Sequence, residues 1–380
     1  MCESIIAECI SNNTPYDVIA LDFQKAFDKI PHSVILSELR SKGITGKALS
    51  WFTSFLQDRT QCVRIGSSVS KPTSVVSGVI QGSVVGAGLF TIVLDSLLRQ
   101  LKLPAPAFAD DLKFVADLNR HSTADVQEDL NTVGEWSDTH CMPLSIEKSF
   151  VMHCGARNTN HDYSLQGKVL RSTDTMCDLG ITRSASGKFN QHIAEVISST
   201  AKLSGAILKA FRERPASFPW QAFKTYVMPL LMYASPVWCP TSVWESDAVE
   251  NIQRRFTKRL MGYYYKPYAQ RLIDLHAMSL EDTRRYSDMI MLFKFFHGIC
   301  GCTLEDIGLS RMPGVTRGAG VRVRQKAPPN CLAASKFSYR AASYWNSLPL
   351  SLTSDLSLCS FKRHLKSYFV LQMNNNLNEA

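Results

Sequence analysis

The sequence predicts an α+β protein, with antiparallel strands backed by helices in the first half and helices in the second. Three observations support this. Val18-Ile19-Ala20-Leu21 is an unbroken apolar run, as in a strand buried on both faces, and it ends in Asp22. Phe108-Ala109-Asp110-Asp111 follows Pro104 and Pro106 and precedes Leu112-Lys113-Phe114-Val115. Two adjacent acids between short apolar segments have the pattern of a β-hairpin. From about residue 186 apolar residues recur at helical spacing, beginning with Ile193, Ile197 and Ala201.

At 380 residues the chain is long enough for two or three units. A hydrophobic fraction of 45% is that of a globular chain, so disorder is not the default. The formal charge of +9 suits a polyanionic partner, although unrelated proteins share such a value. The eleven cysteines are scattered apart from Cys300-Gly301-Cys302, which argues for a reducing compartment rather than a disulfide scaffold. No apolar run reaches transmembrane length, and no basic region precedes the short apolar stretch after Glu3. The expectation is an intracellular protein of nucleus or cytoplasm, neither secreted nor bound to a membrane.

Residues 2–10 read as a helix that ends near Ser11-Asn12-Asn13, and the strand to Asp22 follows at once. Pro31-His32 opens a helix over 31–42 with Ile35 and Leu39 on one face. Gly43-Ile44-Thr45-Gly46 turns into a second helix over 46–58, with Leu49, Phe52 and Leu56 on one face. Arg59 to Val69 alternates, Cys62, Arg64 and Gly66 against Val63 and Ile65, which predicts a half-exposed strand or hairpin. Ser77 to Ser83 reads as a glycine turn opening a helix from Val84 to Lys102. Residues 122–139 form an amphipathic helix with Val126, Leu130 and Val133 on one face, and Phe150-Val151-Met152 is a strand.

Two neighbouring carboxylates at a turn repel each other unless a cation or basic partner sits between them. Taken alone, Asp110-Asp111 is more simply an Asx-type turn with solvated acids. Asp22 supplies the other half of a sharper reading, because a buried strand does not choose an acid. If the strand lies beside the hairpin, Asp22, Asp110 and Asp111 converge. Carboxylates holding Mg²⁺ against substrate phosphates are a usual arrangement for phosphoryl transfer, and two ions would stabilise the attacking and leaving oxygens.

Three segments then fall in order: Leu21-Asp22-Phe23-Gln24-Lys25-Ala26-Phe27-Asp28, Ser77-Gly78-Val79-Ile80-Gln81-Gly82-Ser83, and Phe108-Ala109-Asp110-Asp111. They resemble three successive motifs of reverse transcriptases, in the flavour of non-LTR retrotransposons of the jockey and CR1 type. The resemblance is strong over residues 14–185 and weaker to the C-terminus, and three ordered motifs are far more specific than one. It implies a polymerase palm over 1–185, a helical thumb and connection over 186–305, a basic linker over 306–330 and a small C-terminal helical region over 331–380.

The implied activity is RNA-directed DNA polymerisation, in which the primer 3′-hydroxyl attacks the α-phosphate of a deoxynucleotide and pyrophosphate leaves. The implied partners are an RNA template, a DNA primer and a dNTP. The implied cofactor is a pair of Mg²⁺ ions, or Mn²⁺, on Asp22, Asp110 and Asp111. Phe23, Phe27, Gln81 and Gly82 are implied at the nucleotide. Phe27 would be the aromatic under the sugar that selects deoxynucleotides, although its spacing alone suggests a core residue. Lys148 resembles the family's lysine near the phosphates, which neutralises or protonates the leaving group; a solvated lysine fits the sequence equally. Cys177-Asp178-Leu179-Gly180-Ile181 resembles the primer-grip hairpin, with Leu179 and Gly180 at the primer end and Asp178 on the surface. Ile80 and Ala87 stand where many relatives have proline, and Phe108 where many have tyrosine. The resemblance also implies a fingers region before the Asp22 strand. This chain leaves no room for it, so the expectation is an N-terminally truncated chain.

In the second half, Lys202, Lys209, Arg212 and Arg214 surround the first helix, where a thumb would lie. Phe218 to Met232 reads as a helix broken near Pro229. Ser246 to Met261 has Val249, Ile252, Phe256 and Leu260 on one side and Arg254, Arg255, Lys258 and Arg259 on the other. Tyr263, Tyr264, Tyr265, Lys266 and Tyr268 follow. Basic residues interleaved with aromatics suit a surface that tracks a nucleic-acid backbone and stacks on bases; a solvated face above buried tyrosines fits the same pattern. His297, Cys300, Cys302 and Cys331 lack zinc-site spacing, and no zinc is expected. Arg311 to Pro329 reads as a basic linker, Phe337 to Val370 as a final helical unit, and Asn374 to Ala380 as frayed. Two alternatives to the enzyme remain: a catalytically dead nucleic-acid-binding remnant, and another palm polymerase such as an intron maturase or telomerase.

Overall fold

The computed structural model describes residues 2–313, 321–325, 327–354 and 357–378. The first half runs α1 (Cys2–Asn12), β1 (Tyr16–Asp22), α2 (Ala26–Lys29), α3 (His32–Ser41), α4 (Gly46–Leu56), β2 (Arg59–Gln61), β3 (Arg64–Ile65), β4 (Ser68–Val69), β5 (Thr73–Val75) and α5 (Val84–Leu98). It continues through β6 (Ala107–Phe108), β7 (Asp111–Asp117), α6 (Thr123–Thr139), β8 (Phe150–Cys154), β9 (Ser164–Leu165), β10 (Lys168–Val169), β11 (Arg171–Ser172), β12 (Thr175–Asp178) and β13 (Ile181–Ser184). The second half is α7 (Asn190–Ala210), α8 (Ser217–Ala222), α9 (Met228–Met232), α10 (Val243–Lys258), α11 (Tyr268–Asp274), α12 (Leu280–Phe296), β14 (Ser310–Arg311), β15 (Val323–Arg324), α13 (Cys331–Ala334), α14 (Phe337–Ser347), α15 (Leu350–Thr353) and α16 (Leu358–Asn378).

The main sheet has the strand order β11-β8-β1-β7-β6, and β1 pairs antiparallel with both β7 and β8. Its continuous apolar run follows from cover on both faces. Tyr16 and Val18 enter a small core with Ile6 and Cys9 of α1 and with Val115 and Met152. Ile19 and Leu21 enter the larger core beneath α3, α5 and α6. Full burial of such a side chain stabilises by about 1.5–3 kcal/mol. Between these apolar residues Asp17 is wholly buried. It accepts from Asn158 Nδ2 and Tyr163 OH and meets His153 Nδ1, each at 2.7 Å.

Local signals explain most boundaries. Ser83 caps α5 by accepting from the Gly86 amide at 2.9 Å. That helix stops at Leu98 rather than Lys102, and the amides of Lys102 and Leu103 turn instead to the buried Asp129 carboxylate at 3.0 and 2.8 Å. Of the strand or hairpin expected over 59–69, the hairpin forms as β3–β4 beside the β2–β5 pair, but its residues lie mainly in solvent rather than half-exposed, Val63 and Ile65 included. In α7 the buried stripe is Ile193, Val196, Thr200, Ser204 and Ile207, and Ala201 is exposed. The break expected near Pro229 is a π-helical turn, Phe223–Val227, between α8 and α9. Proline has no N–H for the carbonyl one turn back, and a wider turn absorbs the mismatch. Helix α10 begins at Val243 because Ser242 and Glu245 form a capping box.

The second half has two cores. One joins α7–α11 around Phe223, Trp238 and Phe256. The other joins α12, α14 and α16 around Phe293, Trp345 and Phe361. A boundary at 305 therefore separates α12 from the C-terminal helices it packs against. The 306–330 segment is more than a linker: β14 pairs with β15, and Leu309 and Val323 enter the second core. Its residues 314–320 and 326 lie outside the described residues. Helix α16 runs to Asn378, past the expected onset of fraying at Asn374, and 379–380 lie outside the described residues. Arg340 ties this unit together, donating to Asp288 Oδ2 at 2.7 Å and to the Pro236 carbonyl at 2.8 Å.

Candidate active site

The β1–β7 register sets Asp22 opposite Asp111, so both side chains leave the sheet on one face at the end of the ladder. Phe108 also pairs with Asp111, and Ala109-Asp110 is the two-residue loop between β6 and β7. Ala109 sits there at φ 53°, a left-handed conformation that a non-glycine residue adopts only at a cost.

Asp22 Oδ2 is buried and accepts no hydrogen bond. Lys148 Nζ stands 3.5 Å from it on a side chain that is 74% exposed. The loop bearing Lys148 is stitched to the backbone of Asp22. The Ser145 amide donates to the Asp22 carbonyl at 2.7 Å, and the Asp22 amide donates to Ser149 Oγ at 3.2 Å. Burial pushes the Asp111 carboxyl above its ordinary range, Asp110 and Asp22 push it further, and Lys113 opposes them. Among the described residues no group of three or more His, Cys, Asp or Glu is already gathered into a metal-ligating cluster. The register supplies a carboxylate pair, with Asp110 beside it in the turn. A buried carboxylate oxygen without a donor, facing a second acid that resists ionisation, fits a hard divalent cation with oxygen ligands.

The second segment is laid against the first. The Gly78 amide donates to the Ile30 carbonyl and the Val79 amide to the Phe27 carbonyl, both at 2.7 Å. Gly78 has φ 88°, and a Cβ there would come within 2.8 Å of the Asp28 backbone. Only glycine meets both conditions. Gln81 is exposed, and its Nε2 donates to Asp28 Oδ1 at 2.8 Å. Gly82 has φ 80° beside it. Phe27 is half-buried and stacks on Phe90 with centroids 4.4 Å apart. The Phe23 side chain is buried against Trp136, on the face of Leu21, which leaves its backbone for a nucleotide.

In the hairpin β12–β13, Leu179 and Gly180 form a two-residue loop with φ of 46° and 79°, as a type I′ turn requires. Tyr233 OH donates to the Leu179 carbonyl at 2.9 Å. Asp178, with its side chain 32% exposed, is ion-paired with Lys113 of β7.

Along α10 the stripe Val249, Ile252, Phe256 and Leu260 faces the core, and Arg255, Lys258 and Arg259 are exposed. Arg254 is not a free cation. It donates to Asn251 Oδ1 at 2.7 Å, and its guanidinium lies 5.2 Å from the Tyr268 ring centroid. The tyrosines divide: Tyr263 and Tyr268 pack on the core, while Tyr264 and Tyr265 are exposed. Buried Arg271, which sequence reasoning passed over, closes the end of α10 by donating to the Arg254 carbonyl at 2.7 Å.

Residues 5–190 match the family described as Reverse transcriptase (RNA-dependent DNA polymerase). The chain is 26% identical over 269 residues to the "Retrovirus-related Pol polyprotein from type-1 retrotransposable element R2" of Popillia japonica, covering 64% of this chain and 42% of that one. It is 24% identical over 277 residues to the "RNA-directed DNA polymerase from mobile element jockey" of Drosophila melanogaster, covering 66% and 29%. Residues 5–190 form a reverse-transcriptase domain, similar to those of non-LTR retrotransposons. The chain spans less than half the length of these two relatives. A solved structure of telomerase from Candida tropicalis, with a TWJ fragment of telomeric RNA, aligns at a TM-score of 0.37 and 12% identity over 96% of this chain and 52% of that one. Among the described residues no helix is long and apolar enough to cross a membrane.

Proposed function

We propose that this chain supplies the palm and thumb of an RNA-directed DNA polymerase. The observation behind the proposal is the pair Asp22–Asp111, set side by side by strand register with Asp22 Oδ2 left without a donor. Asp22, Asp110 and Asp111 would hold divalent Mg²⁺, which when bound stabilises charge on the attacking and leaving oxygens.

The chain's own residues position the reactants. Lys148, tethered through Ser145 and Ser149, presents its ammonium beside Asp22, where a leaving pyrophosphate would gather charge. Phe27, backed by Phe90, forms a stiff wall under the sugar of the incoming deoxynucleotide. Asp28 aims Gln81 toward that nucleotide, and Gly82 allows close backbone approach. The Leu179–Gly180 turn seats the primer end, and Arg255, Lys258 and Arg259, with Tyr264 and Tyr265, follow the backbone of the RNA–DNA duplex.

Primer extension on an RNA template with dNTPs and Mg²⁺ tests this. The parent should extend the primer, and Asp22→Asn and Asp110→Asn should not. Phe27→Ala should incorporate ribonucleotides more readily. A parent that binds the duplex yet never extends it would be a binding remnant.

A further inference from the structure

The hairpin β12–β13 forms its own two-stranded sheet and shares no ladder with β7. Main-chain bonds from β11 and the Thr173 amide to β8 hold its root, so its turn end is placed by side chains. Lys113 lies two residues beyond Asp111, opposite Ala20, and leaves the sheet on the face that bears Asp22 and Asp111. Asp178 is the last residue of β12, immediately before the Leu179–Gly180 turn. Lys113 Nζ pairs with Asp178 Oδ2, and the two side chains are only 14% and 32% exposed. An exposed pair would contribute little. A pair this shielded holds its geometry, because either charge left alone is short of solvent. The turn itself is held separately by the hydrogen bond from Tyr233 OH to the Leu179 carbonyl.

We propose that the Lys113–Asp178 ion pair is a positioning device that fixes the Leu179–Gly180 turn against the strand bearing Asp111, and so sets where a primer end meets the carboxylates. The effect on the primer rests on the polymerase reading; the effect on the hairpin does not. The pair also ties the two holds into one path, from the helical half through Tyr233 and the turn to β7.

The test has two arms, both on the full chain. In the first, backbone hydrogen exchange is followed by mass spectrometry in the parent and in Asp178→Asn, Lys113→Met and Lys113→Arg. Segment 175–184 should exchange faster in Asp178→Asn and Lys113→Met, by roughly threefold to tenfold for a coupled pair. Lys113→Arg should behave like the parent, and α10 should be unchanged in all. In the second, KM for the primer–template should rise by a similar factor in the two broken variants while KM for dNTP stays level. Unchanged exchange in both Asp178→Asn and Lys113→Met would overturn the proposal. A change in Lys113→Met alone would also overturn it, since Lys113 would then serve only as a counter-charge to Asp111. Faster exchange in a parent background that makes no DNA would uphold the positioning role and defeat the polymerase reading instead.

Discussion

Asp288 in the C-terminal helices, and Asp22 and Asp111 at the end of the central strands, are acids treated in opposite ways. Asp288 is buried, and Arg340 meets both of its oxygens, at 2.7 and 3.0 Å, then fills its remaining donors with main-chain carbonyls. Asp22 has a buried oxygen with no donor, and it faces another acid. The contrast recurs within β1 itself, where Asp17 has three polar partners and Asp22, five residues on, has an orphaned oxygen. Compensated charge locks architecture. Charge met only by an exposed lysine, as Asp22 is by Lys148, leaves room for a ligand to complete the set.

The largest expected effect breaks the compensated side. Arg340→Met should cost about 3–5 kcal/mol of unfolding free energy in urea, because it strands a buried carboxylate. Adding Asp288→Leu should recover most of that loss. A cost below about 1 kcal/mol would mean that the pair is less shielded than its burial implies.

Lys336 gives a smaller, pH-dependent effect. Burial, with Arg183 nearby, holds its ammonium down at about 8, against 10.5 for a free lysine. Below pH 8 both folded and unfolded chains are protonated, so stability is flat. Between pH 8 and 10.5 the unfolded chain binds more protons, so stability rises with pH through that window. The gain should be about 1–3 kcal/mol. Unfolding measured at pH 7.5 and 10 in parent and Lys336→Met should show the rise in the parent alone; equal slopes would remove Lys336 as its source.

The exposed face of α10 should give the smallest change in stability. Replacing Arg255, Lys258 and Arg259 with glutamine should move stability by less than about 0.5 kcal/mol. It should flatten the salt dependence of primer–template binding by up to roughly 0.9 for each phosphate no longer neutralised. Arg254→Gln should instead cost about 0.5–1 kcal/mol, because its guanidinium no longer stacks on Tyr268. Fluorescence anisotropy at several salt concentrations reads the first effect. A triple variant that binds like the parent throughout would make this a solvated face.

The strands and their acids were legible because period-2 alternation and a doublet at a turn are local signals. The same alternation opposes the Phe23 side chain as a nucleotide contact, since neighbours on an extended segment point to opposite faces and Phe23 follows Leu21 into the core. The partners of Asp178 and Arg254, Lys113 and Tyr268, were not legible because they lie far along the chain or beyond a turn. The α12 boundary was invisible for the same reason: its apolar face is matched by Trp345 and Phe361, which no local pattern links to it. Asp17 was passed over because nothing near it in sequence announces His153, Asn158 and Tyr163.

Mn²⁺ uptake by the chain without nucleic acid, followed by loss of the free-ion electron paramagnetic resonance signal, puts the carboxylate pair to its sharpest test. The parent should take up Mn²⁺, and Asp22→Asn and Asp111→Asn should each weaken uptake by about tenfold or more, roughly 1.4 kcal/mol per tenfold. The same substitutions should leave the metal-free fold as stable as the parent or slightly more so, since each removes repulsion between neighbouring acids. Equal Mn²⁺ uptake by parent and both variants would contradict the assignment of Asp22 and Asp111 as a cation site.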